Sequence, residues 1–113
     1  MTDKVAIPCE VCNADLSSSG GWVAWWDKES EPVREFTATC KGACLNEVCS
    51  RAGGKENHST EVYMCIGDLA MEELVSILSE CRWEPRSKPL EKLLAFFLLA
   101  AKATPPALPP STG

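Results

Sequence analysis

Histidine is almost absent from this sequence, which has a single one, His58, among its 113 residues. The chain also contains no GxSxG motif, no phosphate-binding P-loop and no HExxH motif. These absences remove the common signatures of serine hydrolases, P-loop NTPases and zinc proteases. We therefore expect a protein that is not an enzyme, in which His58 belongs to a polar loop.

Long apolar runs are absent as well. The first 20 residues hold no apolar stretch of signal-peptide length, and the run LLAFFLLAA, residues 93–101, has only nine residues. A membrane-spanning helix needs about 20. We expect a chain that is not secreted, does not cross a membrane and resides in the cytoplasm.

Basic charge is in deficit, with 11 Lys and Arg against 16 Asp and Glu, giving a net charge of −5 at pH 7. Nucleic-acid binding depends on neutralising phosphates, so this balance disfavours it. The charge is uneven, because residues 61–81 carry a net −5 and residues 82–113 a net +3. We interpret these segments as two packed helices that neutralise each other.

Cysteine, in contrast, is abundant, with seven in the chain. In a protein that is not secreted, paired cysteines are more often metal ligands or catalytic thiols than disulfides. Four of them form the pattern C-x2-C-x27-C-x3-C, with members Cys9, Cys12, Cys40 and Cys44.

Two strand-like segments separate these cysteine pairs. GWVAWW, residues 21–26, and VREFTATC, residues 33–40, flank a polar turn and predict a β-hairpin. A hairpin brings its two ends together, so we expect the two cysteine pairs to meet. Four converging thiolates form a closed tetrahedral site that suits structural zinc and leaves no position for a catalytic water.

The residues around the cysteines fit this interpretation. A tight turn at a cysteine pair needs a residue that tolerates positive φ. Asn13 directly follows the first pair, and Gly42 lies between Cys40 and Cys44. Ala43 to Ala52 predicts a short helix, and two glycines follow it as a stop signal.

The order of knuckle, hairpin and helix over residues 9–52 resembles the treble-clef and zinc-ribbon group of small four-cysteine zinc domains. CEVCN resembles the first knuckle of that group and CKGAC the second. Asn13 stands where the group usually has glycine, and the second knuckle has three spacer residues where two are usual. The group serves many functions, so the resemblance implies a zinc-stabilised fold and little about activity.

Other roles for the cysteines stay open at this point. Four cysteines alone do not select zinc over iron, in a rubredoxin-like or iron–sulfur site. The CxxC pair is also compatible with redox chemistry, and all four thiols with packing in the core. We interpret Cys49, Cys65 and Cys81 as small apolar core residues. A second metal site formed by these three with His58 is a further alternative.

The C-terminal half predicts a strand and two helices. The strand is EVYMCI, residues 61–66. Asp68 is expected to cap the first helix, which ends before Pro85, and Pro89 is expected in the first turn of the second. The apolar stripe of the first helix is Leu74, Ile77, Leu78 and Cys81, and that of the second is Leu90, Leu93, Leu94, Phe97, Leu98 and Ala101.

The predicted architecture is a single α+β domain over residues 1–104. It consists of a zinc-binding hairpin with a short helix, residues 9–54, and a strand with two packed helices, residues 60–104. The proline-rich tail, residues 105–113, is expected to be disordered.

Two apolar features are candidate binding surfaces. Trp22, Trp25 and Trp26 share one strand and alternate between its faces, so one face is expected to form an aromatic platform for a protein partner. The alternative is that all three are core residues. The helix over residues 90–102 is apolar almost all round, which predicts a central core helix or a homodimer interface.

From these features we predict a non-enzymatic, zinc-stabilised protein-interaction or regulatory module, similar in style to small acidic proteins of phages or mobile elements. The first alternative is a nucleic-acid-binding zinc ribbon that uses the basic residues Lys41, Arg51 and Lys55, or Arg82, Arg86, Lys88 and Lys92. The second is a thiol oxidoreductase with Cys9 and Cys12 as its redox pair.

Overall fold

A three-stranded antiparallel sheet with helices packed on it organises the chain. The computed structural model describes residues 5–28 and 30–103. The elements, in chain order, are α1 (Leu16–Ser19), β1 (Trp22–Trp26), β2 (Glu35–Thr39), α2 (Ala43–Ala52), β3 (His58–Glu61), two 3-10 turns (Val62–Cys65 and Gly67–Leu69), α3 (Ala70–Glu80) and α4 (Lys88–Lys102). This mixture of helices and an antiparallel sheet confirms the predicted α+β class.

The strand β1 lies in the middle of the sheet, in the order β2-β1-β3. Both pairings are antiparallel, and Trp25 of β1 lies opposite Phe36 on one side and His58 on the other. The observed β1 and β2 fall inside the two predicted strand segments, and α2 has the predicted bounds.

The predicted strand over residues 61–66 is wrong. Strand β3 ends at Glu61, and Val62–Cys65 form a 3-10 turn. Val62 and Cys65 are both fully buried, and residues three apart share a face in a 3-10 turn. The apolar residues of this segment thus reach the core from a turn, while polar β3 pairs with β1. His58, expected in a loop, is the first residue of β3.

Apolar side chains are buried on both faces of the sheet. On one face, Ala24 and Trp26 pack with Leu45 and Val48 of α2. On the other face, a larger core gathers side chains from β1, β2, α3 and α4, among them Trp25 and Phe36. The sheet is therefore covered on both sides, so side chains on either face of β1 can be buried.

The helix α3 begins differently from the prediction. Its cap position is Leu69, where no side chain makes a capping hydrogen bond, and a 3-10 turn containing Asp68 precedes it. Asp68 as the N-cap is therefore wrong. Ile77 of the predicted stripe is buried, whereas Leu78 is exposed.

The helix α4 begins as its sequence indicates, with Ser87 as the N-cap. The Ser87 side chain accepts a hydrogen bond from the backbone N–H of Leu90, and a proline lies in the first turn. Its buried face is rotated from the predicted stripe. Leu93 and Phe97 of that stripe are buried as predicted, and Phe96 and Ala100 are buried with them. Leu94 and Leu98 of the stripe are exposed at 47% and 62%.

Part of the predicted organisation lies outside the described residues. This applies to the tail, residues 105–113, and to the two ends of the predicted 1–104 domain. Within residues 5–28 and 30–103, the helices are too short or too polar to cross a membrane.

Asp15 fixes the segment between the first cysteine pair and β1. It is the N-cap of α1, and its Oδ1 accepts hydrogen bonds from the N–H groups of Ile7 and Ser17, each at 3.0 Å. Burial opposes ionisation of Asp15, but the hydrogen bonds from Ile7, Ser17 and Ser18 outweigh it and lower the pKa of its carboxyl to about 2.

Replacing Asp15 by alanine is expected to destabilise the protein by about 1–2 kcal/mol at pH 7, because a capping acceptor is lost. The pKa is depressed from its ordinary 3.8 to about 2. The contribution of the carboxylate is therefore complete above about pH 4 and lost only as the pH falls toward 2. Denaturant titrations at pH 7 and pH 5 should give the same difference from the parent.

The matched control for this cap is Asp68→Ala, since the sequence predicts a cap at Asp68 and the structure has none there. We expect its stability to stay within about 0.5 kcal/mol of the parent. Equal losses for the two variants would contradict the assigned role of Asp15.

Candidate metal centre

The four cysteines of the predicted site converge. Cys9 and Cys12 lie in the turn before α1, Cys40 directly follows β2, and Cys44 lies in the first turn of α2. Their Sγ atoms all lie within 4.8 Å of one another. The antiparallel pairing of β1 and β2 brings the two sequence-distant pairs together, as the hairpin argument predicted.

The backbone around the cluster points its amides at sulfur. Asn13 has φ 67° and Gly42 has φ 82°, the positive values that the two turns were predicted to need. The Sγ of Cys9 accepts N–H groups from Val11 at 3.4 Å, Cys12 at 3.5 Å and Cys40 at 3.4 Å. Such amides stabilise a negatively charged sulfur.

The pKa values of Cys9, Cys40 and Cys44 are shifted in different directions. Burial opposes ionisation of Cys9, but the amides of Cys12, Cys40 and Val11 outweigh it and lower the pKa of its thiol to about 6. Burial, then hydrogen bonds and charge from Cys12 and Cys9, raise the pKa of Cys40 to about 11 and that of Cys44 to about 12. At neutral pH these two thiols therefore need a cation beside them before they ionise.

The cluster has the dimensions of a tetrahedral metal site. Four sulfurs at the usual zinc distance lie about 3.8 Å from one another. The Sγ atoms of Cys12 and Cys40 lie 3.6 Å apart, so little movement separates the cluster from that geometry. The donor set is closed and soft, which suits a structural metal ion.

The three other cysteines do not form the second site that the sequence left open with His58. Cys65 is fully buried and its Sγ contacts the carbonyl of Glu61, and burial raises its pKa to about 12. The Sγ of Cys49 contacts Glu56 Oε1 at 3.3 Å. Cys81 alone of these three meets His58.

A second cluster contains a residue that the sequence did not indicate. Asp27, His58 and Cys81 bring their ligand atoms within 4.8 Å of one another. His58 Nε2 lies 2.9 Å from Asp27 Oδ1 and 3.5 Å from Cys81 Sγ. Burial opposes ionisation of Asp27, but hydrogen bonds from Asn57, His58 and Cys81 outweigh it and lower the pKa of its carboxyl.

The tryptophan strand does not form an exposed platform. Trp25 and Trp26 are only 2% and 1% exposed, because α2 covers one face of the sheet and α3 and α4 the other. Trp26 Nε1 donates to the carbonyl of Gly54 at 2.9 Å. The expected platform is therefore wrong for these two residues. Trp22 is half-buried, with Lys41 Nζ 5.0 Å from its ring centre, and its role in partner binding stays a prediction.

Several candidate nucleic-acid-binding residues lie beside carboxylates. Lys41 pairs with Glu61 at 3.8 Å and Arg51 with Glu10 at 2.9 Å. Lys92 Nζ lies 2.7 Å from Glu10. Acidic partners within the chain thus already neutralise part of the predicted basic surface.

No family model, no curated protein and no solved structure matches the chain. A proposal for its function therefore rests on the geometry described above.

Proposed function

We propose that this chain is a non-enzymatic, zinc-stabilised module that binds protein through the apolar face shared by α3 and α4. The observation that carries the proposal is the exposure of large apolar side chains there. Met71 and Val75 of α3 are 70% and 55% exposed, and Leu98 of α4 is 62% exposed. Apolar patches of this kind on a small domain mark interaction sites.

The same face has a groove. A cleft of about 390 Å³ runs between the two helices. Its lining is entirely apolar and consists of Ala70, Met71, Leu74, Leu94, Phe97, Leu98 and Ala101. A groove of this kind accepts the apolar face of a helix, and methionine adapts its shape to the side chains that enter.

A second copy of the chain is the occupant that the charges favour. The helix α3 carries three glutamates and no basic residue, whereas α4 carries three lysines and one glutamate. In a two-fold symmetric dimer, the same patch meets itself, so α3 of one copy can lie against α4 of the other. Each groove would then receive apolar side chains while opposite charges face each other at the rim.

The metal centre supports the module by stabilising its fold. Four thiolates form a closed site without a position for substrate or water, which is typical of structural zinc. A chain this short buries a modest core and often needs such a staple. Zinc at this site would hold β2 and α2 to the turn before α1. Through the pairing of β2 with β1, it would also stabilise the sheet that supports the surface on α3 and α4.

The experiment is a sedimentation analysis of the zinc-loaded protein and of Leu98→Glu. We expect a dimer for the parent and a monomer for the variant, because a charge in the groove is costly to bury. Met64→Glu is the matched control, since Met64 is exposed at 50% but does not line the cleft. It should stay dimeric, and all three proteins should retain one zinc per chain after dialysis. A monomeric parent, or a dimeric Leu98→Glu, would contradict the proposed partner.

The nucleic-acid alternative has weaker support. Lys41, Arg51 and Lys92 have carboxylate partners within the chain, and binding to phosphates would have to displace them. The net charge of −5 adds repulsion. Salt-sensitive binding of DNA or RNA by the zinc-loaded protein would revive this alternative.

The thiol oxidoreductase alternative also has weaker support. A redox CxxC usually presents an exposed thiolate at the start of a helix. Cys9, the thiol with the lowered pKa, is 3% exposed and lies in a turn. Its negative charge faces the other three cysteines, where a metal ion would use it.

A further inference from the structure

A second meeting point of metal-binding atoms lies away from the four cysteines. Asp27 directly follows β1, His58 begins β3, and Cys81 is the C-cap of α3. Their contacts therefore join three elements that are distant in sequence. Both short distances, 2.9 Å to Asp27 Oδ1 and 3.5 Å to Cys81 Sγ, end at the same atom, His58 Nε2.

This sharing of one nitrogen distinguishes the cluster from a catalytic Cys–His–Asp arrangement. In such a relay, one ring nitrogen faces the nucleophile and the other faces the carboxylate. Here the carboxylate and the sulfur converge on a single nitrogen, so no proton can pass through the ring from one to the other. An oxygen, a nitrogen and a sulfur that lie within 4.8 Å of one another can instead bind a single metal ion placed between them.

The distances suit a zinc-sized ion. In a tetrahedral zinc site, a sulfur and a nitrogen ligand lie about 3.6 Å apart, and a nitrogen and an oxygen ligand about 3.3 Å apart. The first distance is already met by Cys81 and His58 at 3.5 Å. For the second, the Asp27 carboxylate at 2.9 Å needs to retreat by only about 0.4 Å.

Neighbouring side chains hold each of the three ligands in place. The indole N–H of Trp25 donates to Cys81 Sγ at 3.3 Å, and the Trp25 ring stacks on His58 at 5.5 Å between ring centres. Asn57 Nδ2 donates to Asp27 Oδ1 at 2.7 Å. Such outer partners orient metal ligands and are a regular part of metal sites.

We propose that Asp27, His58 and Cys81 bind a second divalent ion of the zinc type, with three protein ligands and one position for water or another small ligand. No fourth cysteine, histidine or carboxylate in the described ranges, 5–28 and 30–103, joins the cluster. On binding, the Cys81 thiol gives its proton to solvent and its sulfur coordinates the ion.

Solvent has access beside this site. His58 lines a cleft of about 370 Å³ together with Glu73, Ser76 and Glu80 of α3. The ion would connect the end of α3 to β1 and β3, so it would also tie the helix of the proposed interaction surface to the sheet. The site itself is independent of that proposed function, because it shares no residue with the lining of the apolar groove and no ligand with the four-cysteine cluster.

The test is a Co²⁺ titration of the full chain that retains one zinc ion after dialysis. We expect one further equivalent to bind, with the thiolate-to-cobalt absorption of a single sulfur ligand. His58→Gln and Cys81→Ser should each weaken this binding at least about tenfold. Cys81→Ser should also abolish the absorption, while Cys49→Ser, outside the cluster, should leave both unchanged.

Either of two results would overturn the proposal: no second equivalent in the parent, or a second equivalent that His58→Gln and Cys81→Ser do not weaken. The first would leave the cluster as a hydrogen-bonded network. The retained zinc, measured in the same samples, reports whether each variant has kept its fold. If both variants lose the retained zinc, the cobalt absorption of the parent decides whether the second site exists, since only coordination of cobalt by sulfur produces that absorption.

Discussion

Replacing Cys40 by serine is expected to remove the zinc ion that we propose for the four-cysteine cluster and, with it, the native fold. Cys40 supplies one of the four converging sulfurs, and its N–H also donates to Cys9 Sγ at 3.4 Å. In small zinc domains the metal contributes about 10–16 kcal/mol of apparent binding free energy, which is as large as the whole stability of a small domain. Metal content after dialysis and circular dichroism on heating are the measurements.

Cys49→Ser is the matched control for this experiment, because Cys49 is a half-buried thiol that contacts Glu56 and not the cluster. It should keep one zinc per chain and unfold at nearly the parent temperature. A Cys40→Ser protein that melts like the parent would show that the fold does not depend on the metal. A parent without metal but with a Cys9–Cys12 disulfide would make thiol redox chemistry the leading function.

The four-cysteine cluster could be predicted because the residues that specify it lie close together in the sequence. Each pair sits in a short turn of recognisable chemistry, at Asn13 and Gly42, and a single hairpin joins the two turns. Only the pairing of β1 with β2 had to be inferred, and two strand-like segments on either side of a polar turn indicate it. The identity of the metal could not be predicted in the same way, because four thiolates bind several kinds of metal ion.

The second cluster could not be predicted for the opposite reason. Asp27, His58 and Cys81 meet only because β3 pairs with β1 and because α3 ends beside that edge. The β3 segment, HSTE, has no apolar alternation that predicts a strand. Without β3, His58 is assigned to a loop and the three residues have no reason to meet.

The exposure of the tryptophans was predicted wrongly because exposure is a property of the whole fold. Trp25 and Trp26 are strongly apolar, but α2 and the α3–α4 pair cover both faces of their strand. In α4, apolar residues surround the helix, so periodicity did not select one face. Phe96 packs against Phe36 at 6.2 Å between ring centres, and Leu94 and Leu98 are consequently turned outward.

Replacing Gly21 by alanine should be a damaging change near the candidate metal centre, although it adds only one methyl group. Gly21 precedes β1 and lies against Thr39, the residue before Cys40. A Cβ at Gly21 would collide with the carbonyl oxygen of Thr39 and come within 3.0 Å of Leu16 Cδ2. Because the collision is with backbone, side-chain rotation cannot relieve it.

The sheet must therefore shift where β2 leads into the cluster, at a cost of about 1–3 kcal/mol. Since Cys40 directly follows Thr39, the shift should also weaken metal binding. Two measurements should therefore change together: the denaturation midpoint of the zinc-loaded protein and its competition with a chelator for zinc.

Gly54→Ala is the matched control, since its Cβ would meet no atom within 4 Å and its φ is not positive. We expect Gly54→Ala to be neutral or stabilised by up to about 1 kcal/mol, because alanine restricts the unfolded chain. If Gly21→Ala matches it in both readouts, the junction of β1 and β2 does not position Cys40, and the cluster must be held by the two turns alone.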